Sequence, residues 1–197
     1  MSRAYRRNGQ GKLTQIAYAA AGLCLAAAGA ATAQSFDRQY TRIGFELRTR
    51  WGQQLEGRFP QYEGAVRHLP DGRQQVTMRL ATADVEIVGY PRYTEFARGP
   101  RFFDAQRHPW VSFTSDPYTP ELLRRGGKLT GTLRIHGVPQ DETFMVQSAT
   151  CARPALDCDL VAQGSVRRED YGMDDWKVAV RGRVHFELRL RLQPEAR

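Results

Sequence analysis

Few residues in this chain could do chemistry, and they are scattered. Four histidines come first: His68, His108, His136 and His185. No two of them stand at the H-x-x-x-H spacing that turns both rings toward one metal from a single helix face. His68 precedes the turn residues Pro70-Asp71-Gly72, while His136 and His185 fall on the charged side of alternating segments. All read as surface residues, and no metal is expected. There is no G-x-S-x-G elbow, no P-loop, and no cysteine beside a histidine that could activate it. Glu169, Asp170, Asp174 and Asp175 crowd the stretch "REDYGMDDW", but neighbouring arginines make them read as solvated loop carboxylates. The chain is therefore not expected to be an enzyme. Binding is the chemistry left to look for.

The compartment is readable from the first residues. Arg3, Arg6, Arg7 and Lys12 precede an apolar, alanine-rich run that ends in Ala31-Thr32-Ala33. This is the pattern of a secretory signal peptide with an A-x-A cleavage site. Residues 1–33 are assigned to it, and residues 34–197 to a periplasmic or secreted domain. Arg6-Arg7 is followed by Asn8-Gly9-Gln10 rather than by the hydrophobic residues of a twin-arginine signal, and Cys24 follows Leu23, a poor context for acylation. In an oxidising compartment, Cys151 and Cys158 read as a disulfide around the Arg153-Pro154 turn. A thiolate metal site is the weaker alternative, since no histidine lies near them.

Roughly 160 mature residues suffice for one domain with a real core. The formal net charge is +8, and four of those positives precede Gln34 with no acid among them, which leaves an ordinary +4. Only Lys12, Lys128 and Lys177 among the basic residues are lysines. No basic run is interleaved with aromatics, so nucleic acid is not an expected partner. After the leader, no segment approaches the length of apolar chain that spans a membrane as a helix. The sequence leaves a homodimer open.

What must position any binding site is β-structure. The stretch "KVAVRGRVHFELRLRL", 177–192, alternates throughout: Val178, Val180, Gly182, Val184, Phe186, Leu188, Leu190 and Leu192 share one face and the charged residues share the other. Period two predicts a strand. Similar alternation, broken by turn residues, predicts strands over 38–50, 55–67, 74–88, 110–118, 128–136, 142–150 and 159–167. One short helix is expected within 93–105. A second is expected to start at Thr119, which would cap Pro120 at the first helical position. Eight antiparallel strands with one apolar face each could form a sandwich or a barrel. Sixteen residues at about 3.3 Å span roughly 50 Å, too long for a flat small domain, which favours a barrel whose strands coil and bend. Gly131, Gly164 and Gly182 recur on the apolar face. They imply either bending of the wall or room inside it.

The apolar face could meet lipid, a packed core or a ligand. Membrane strands need only about 9 to 11 residues, a small lumen would be crowded with arginines, and the chain ends "LQPEAR" without a terminal aromatic strand. A lipid-facing barrel is set aside on these grounds. Between core and ligand, four ordered segments speak: "GRFPQYEGAV", "FFDAQRHPWVSFTS", "KLTGTLRIHGV" and "VRREDYGM". In order and spacing they resemble the signature segments of the YceI-like family of exported lipid- and isoprenoid-binding proteins, and the resemblance runs from about Tyr40 to Leu192. The matching positions are Gly57, Phe59 and Gly64; Phe103, Asp104, Pro109, Phe113 and Ser115; Gly131, Leu133, His136, Gly137 and Val138; and Arg168, Asp170, Tyr171 and Gly172. Departures fall in turns: Pro139-Gln140-Asp141-Glu142 replaces the family's usual basic residue and proline, Glu169 replaces a small polar residue, and Cys151 to Cys158 is extra.

The resemblance implies an all-β, eight-stranded antiparallel lipocalin-like barrel with one or two short helices. Its interior would take a hydrophobic small molecule, a polyisoprenoid or other long-chain amphiphile, as ligand and without a cofactor. Phe45, Leu47, Met78, Leu80, Phe113, Leu133, Ile135, Val180, Val184 and Phe186 are then the expected tail-contacting or core residues. Arg167 or Arg168, at the end of a ligand-lining strand, is the head-group candidate, since Arg can fork to an anion. Its alternative role is an ion pair with Asp170 or Asp174. A scaffold of the same fold, its barrel filled by its own side chains, is the competing function.

Overall fold

The computed structural model describes residues 33–194, so the leader segment assigned to 1–33 lies, but for Ala33, outside the described residues. The fold is all-β: one antiparallel sheet of eleven strands, curled into a half-barrel, with two short helices. The strands are β1 Ala33–Ser35, β2 Arg42–Thr49, β3 Gln54–Arg58, β4 Tyr62–His68, β5 Gln74–Ala81, β6 Glu86–Ile87, β7 Trp110–Ser115, β8 Gly127–Ile135, β9 Val138–Val146, β10 Leu160–Arg167 and β11 Val180–Leu190. Their order across the sheet is β1-β4-β5-β7-β8-β9-β10-β11-β2-β3-β6. The sheet curls far enough for β1 to meet the tail of β11: Gln193 N–H donates to Ser35 O at 2.9 Å, and Asp37 N–H to Arg191 O at 2.8 Å.

Eleven strands stand where alternation predicts eight, and the difference has local causes. The expected strand 55–67 breaks at Phe59-Pro60-Gln61, because proline offers no N–H to continue the ladder. The expected strand 74–88 is interrupted by a 3-10 turn, Thr82–Asp84, pinned by Thr82 Oγ1 donating to His108 O at 2.8 Å. β1 is too short to show alternation. β9 starts four residues before the expected 142–150, directly after a two-residue turn in which His136 and Gly137 both have positive φ, 51° and 79°. Such a turn matches the twist of the flanking strands.

β11 keeps the predicted face over Val180–Leu190, pairing Phe186 with Phe45, Val184 with Leu47 and Leu188 with Ile43. The register shifts between Val180 and Val184, a bulge that bends the strand. Val178, expected on the inner face, instead precedes the strand and is 89% exposed. The first helix, α1, is Pro91–Arg98, with proline in its first turn. The second, α2, is Glu121–Arg125; Pro120 occupies the N-cap, and Thr119 contributes its backbone carbonyl rather than a side-chain cap. Cys151 and Cys158 form the expected disulfide.

The in-phase glycines are occupied by the protein itself. A Cβ at Gly164 would lie 2.7 Å from the Phe144 ring, one at Gly131 would lie 2.8 Å from Phe113 Cζ, and one at Gly182 would collide with the Glu169 carboxylate. These missing side chains make room for aromatic rings and a carboxylate of the same chain, with no space to spare there for a ligand.

Candidate functional site

One end of the curled sheet is not filled. An apolar cleft opens there, its walls contributed by β2 (Phe45, Leu47, Thr49), β11 (Val180, Val184, Phe186), Leu55, Ile87, Ile135 and Val166. Its roof comes from α1 (Tyr93, Phe96, Ala97), from Phe102 and Phe103 beyond that helix, and from Met173, Trp176 and Ala179 before β11. Counting the open solvent at its mouth, the cleft encloses about 1000 Å³ of space free of atoms.

The roof is attached by polar contacts at its edge. Thr94 Oγ1 accepts the Ile87 N–H at 2.8 Å, and Arg98 Nε donates to Val85 O at 3.0 Å, so the middle and the last residue of α1 are tied to β6 and the residue before it. At the mouth stand Trp51, Phe96 and Trp176, which remain 65%, 51% and 40% exposed, with the Phe96 and Trp176 rings 5.8 Å apart. From the roof residue Phe103 a string of aromatic rings runs down to the floor and separates cleft from core. Phe103 meets Phe59 at 5.6 Å, Phe59 meets Phe45 at 5.5 Å, and Phe45 meets Phe186 at 6.0 Å. Phe186 then meets Phe144 at 6.4 Å, and Phe144 meets Phe113 at 5.1 Å.

The expected interior residues divide along that string. Phe45, Leu47, Ile135, Val180, Val184 and Phe186 border the cleft. Met78, Leu80 and Leu133 are buried in the other half of the sheet, and Phe113 packs against that core beside Phe144. Strand alternation put all ten on the inner face. It carried no information about which end of that face is packed. Apart from Ala179, the roof residues lie outside the alternating strands, and their sequence signals were the concentration of aromatics in segments otherwise read as helix or loop and, for Phe103 and Met173, a place in two of the four motifs.

The two arginines also part company. Arg167 points outward, with its side chain 63% exposed and its Nε 3.7 Å from Glu169. The chain then enters a 3-10 turn, Arg168–Tyr171, which carries Arg168 to the inside, where it is 2% exposed and borders the cleft. Neither Asp170 nor Asp174 pairs with it. Its guanidinium donates at 3.3 to 3.4 Å to the carbonyls of Asp175 and Arg181 and lies 5.5 Å from the centre of the Phe102 ring. Burial pushes its pKa down, and the surrounding Glu169, Asp174 and Asp175 charges oppose that. Beside it, Tyr171 is wholly buried and donates to Glu142 Oε1 at 2.8 Å. Burial, reinforced by that carboxylate, raises the Tyr171 pKa and keeps the phenol protonated.

Of the histidines, His185 is exposed on β11, 2.8 Å from Ser165 Oγ, and His68 is exposed at the end of β4. His136 departs from expectation: it lies in the β8–β9 turn, half-buried, its ring centre 4.6 Å from that of His108. Among the described residues no helix is long and apolar enough to cross a membrane.

No curated protein matches the chain. Among solved structures, Burkholderia cenocepacia BcnA is similar at 21% identity with a TM-score of 0.64, over 79% of this chain and 98% of that one. A polyisoprenoid binding domain from Saccharophagus degradans implicated in plant cell wall breakdown is similar at 16% identity and a TM-score of 0.59, over 80% of this chain and 95% of that one. A mutant YCEI protein of Campylobacter jejuni is similar at 19% identity and a TM-score of 0.53, over 71% and 85% of the two chains. At these identities the likeness is one of fold. The sequence match decides the family: the YceI-like domain covers residues 35–192, and the chain belongs to the YceI-like family.

Proposed function

We propose that this chain is an exported, non-enzymatic binding protein that holds a long-chain amphiphile, of polyisoprenoid or related lipid type, and sequesters or transports it. The observation that carries the reading is the cleft itself, walled by aliphatic and aromatic side chains from six strands and roofed by α1 and separate loops, with Arg168 the single buried cation among the described residues at its wall. Each methylene moved from water into such a cleft gains about 0.8 kcal/mol, part of which is lost to ordering the chain. Area would supply affinity. Selectivity would come from length and from the polar end.

Arg168 is the residue for that end. Its contacts are two carbonyls and an aromatic face, and among the described residues no carboxylate lies within ion-pair distance, so an anionic head entering the cleft would meet a donor already stripped of water. Arg167 is too exposed and turned away for the same task.

The competing scaffold reading draws support from the filled half of the sheet, where Phe113 and Phe144 occupy the glycine gaps. Native mass spectrometry of protein purified from the cell envelope, followed by organic extraction, tests the two. A stoichiometric apolar ligand is expected. A clean apo mass, with no uptake of offered prenyl alcohols, prenyl pyrophosphates or fatty acids, would give the scaffold reading the lead.

A further inference from the structure

Behind the cleft wall, three potential metal-ligating side chains converge from two distant parts of the chain. Asp104 and His108 lie on the loop between α1 and β7, and His136 lies in the β8–β9 turn. Their ligand atoms all fall within 4.8 Å of one another. We propose that Asp104, His108 and His136 form a binding site for one divalent transition-metal ion of the zinc type, independent of whatever occupies the cleft.

Each of the three is held by the backbone and poorly served without a cation. Asp104 is buried, and its ion-pair partner, Arg107 Nη1, stands 3.7 Å away on a side chain that is 80% exposed. Its carbonyl accepts the N–H groups of Arg107 at 3.0 Å and His108 at 2.8 Å, which folds the loop so that carboxylate and imidazole face the same way. His136 has φ of 51°, fixed between the paired residues Ile135 and Val138, and its Nε2 is buried without a hydrogen-bond partner. Gly137 permits the approach of His108, because a Cβ there would lie 2.8 Å from His108 Cε1.

Ligand type and number select the ion. Two imidazoles and one carboxylate are a borderline set that suits zinc and its first-row neighbours, whereas calcium and magnesium prefer oxygen cages. At metal–ligand bonds of about 2.0 to 2.2 Å, tetrahedral ligand atoms stand roughly 3.3 Å apart. The site would tighten by side-chain rotation, with a fourth position left for water or a partner. Phe103 and Ile135, adjacent in sequence to Asp104 and His136, border the cleft, so a bound ion would clamp two of its walls together.

The test is titration of the purified protein, lacking any polyhistidine tag and stripped with chelator, with Zn²⁺ by calorimetry and with Co²⁺ by visible absorption. One equivalent of saturable binding is expected, with the intense d–d bands of low-coordinate Co²⁺ and a rise in Tm with Zn²⁺. His108→Gln and His136→Gln should each weaken binding by at least about tenfold, and Asp104→Asn should weaken it while altering the Co²⁺ spectrum. His185→Gln should change nothing. If His136→Gln disturbs the turn, as circular dichroism would show, His108→Gln on the loop still decides. Absence of saturable uptake, or uptake unchanged in the variants at Asp104 and His108, would overturn the site.

Discussion

The two ends of the curled sheet are built from the same strands and end in opposite states. Toward Met78, Leu80, Phe113, Leu133 and Phe144 the inner face closes on itself, with aromatic rings dropped onto Gly131 and Gly164. Toward Phe45, Leu47, Val180 and Val184 the same face stays open and is roofed by α1 and two loops that leave room beneath them. Hydrophobicity does not separate the ends. Rings lie over glycines at both ends, Phe113 and Phe144 over Gly131 and Gly164 and Phe45 over Gly57. At the open end, however, the roofing elements stand across a gap instead of packing into it. An inward apolar face thus becomes core or cleft according to what is folded over it.

Substitutions can break that contrast, and the largest effect is expected in the filled half. Phe144→Ala should cost about 3 to 5 kcal/mol of stability in chemical denaturation, because it empties space over Gly164 that nothing else reaches. Val180→Trp in the open half should cost far less and reduce uptake of a prenyl or fatty chain by more than about tenfold. Equal destabilisation by the two changes would mean the cleft is core after all.

Arg168→Leu probes the polar end of the cleft. If the guanidinium receives an anionic head, binding of a prenyl pyrophosphate should fall by roughly 10- to 100-fold, in keeping with about 1.5 to 3 kcal/mol for a hydrogen bond to a charged group, while a prenyl alcohol binds as before. Folding stability should hold or rise, since a buried guanidinium without a carboxylate partner is removed. A uniform loss for both ligands would assign Arg168 to the architecture alone.

Two smaller effects belong to elements away from the cleft. Replacing Cys151 and Cys158 together by serine should cost about 2 kcal/mol at most, because the closed loop is short, and should leave ligand uptake unchanged. Tyr118 packs against the filled half, and burial pushes its pKa up to about 12. A folded-state value raised above the unfolded value of about 10 contributes stability that is complete below pH 10 and fades as pH rises toward 12. Tyr118→Phe should therefore recover roughly 1 kcal/mol at pH 11, relative to its effect at pH 8. No difference between the two pH values would place the phenol in contact with water.

Much of the architecture is legible in local patterns, and the limits of that legibility are physical. Alternation along 177–192 fixes which residues face inward, because side chains of a strand must point to opposite sides. The same rule misplaces Val178, since the strand begins only at Val180, after a turn closed by Ala179 and Val180 N–H groups bonding to Trp176 O. Adjacent arginines at 167 and 168 look equivalent as a sequence pair. The 3-10 turn that begins at Arg168 sends one outward and buries the other. Helical metal spacing is absent from the histidines, and the cluster that forms does not depend on it: His136 stands 28 positions beyond His108 and meets it only because β7 and β8 are paired neighbours.

By itself, the sequence determined the all-β class, the inward faces, the two short helices, the disulfide and, through four ordered motifs, the YceI-like family. Only the tertiary structure decided which end of the inner face is filled, that Arg168 rather than Arg167 borders the cleft, and that Asp104, His108 and His136 meet. Periodicity along a strand encodes which side a residue faces. It does not encode which distant segment covers that side, and that depends on how the sheet curls and where the loops come to rest.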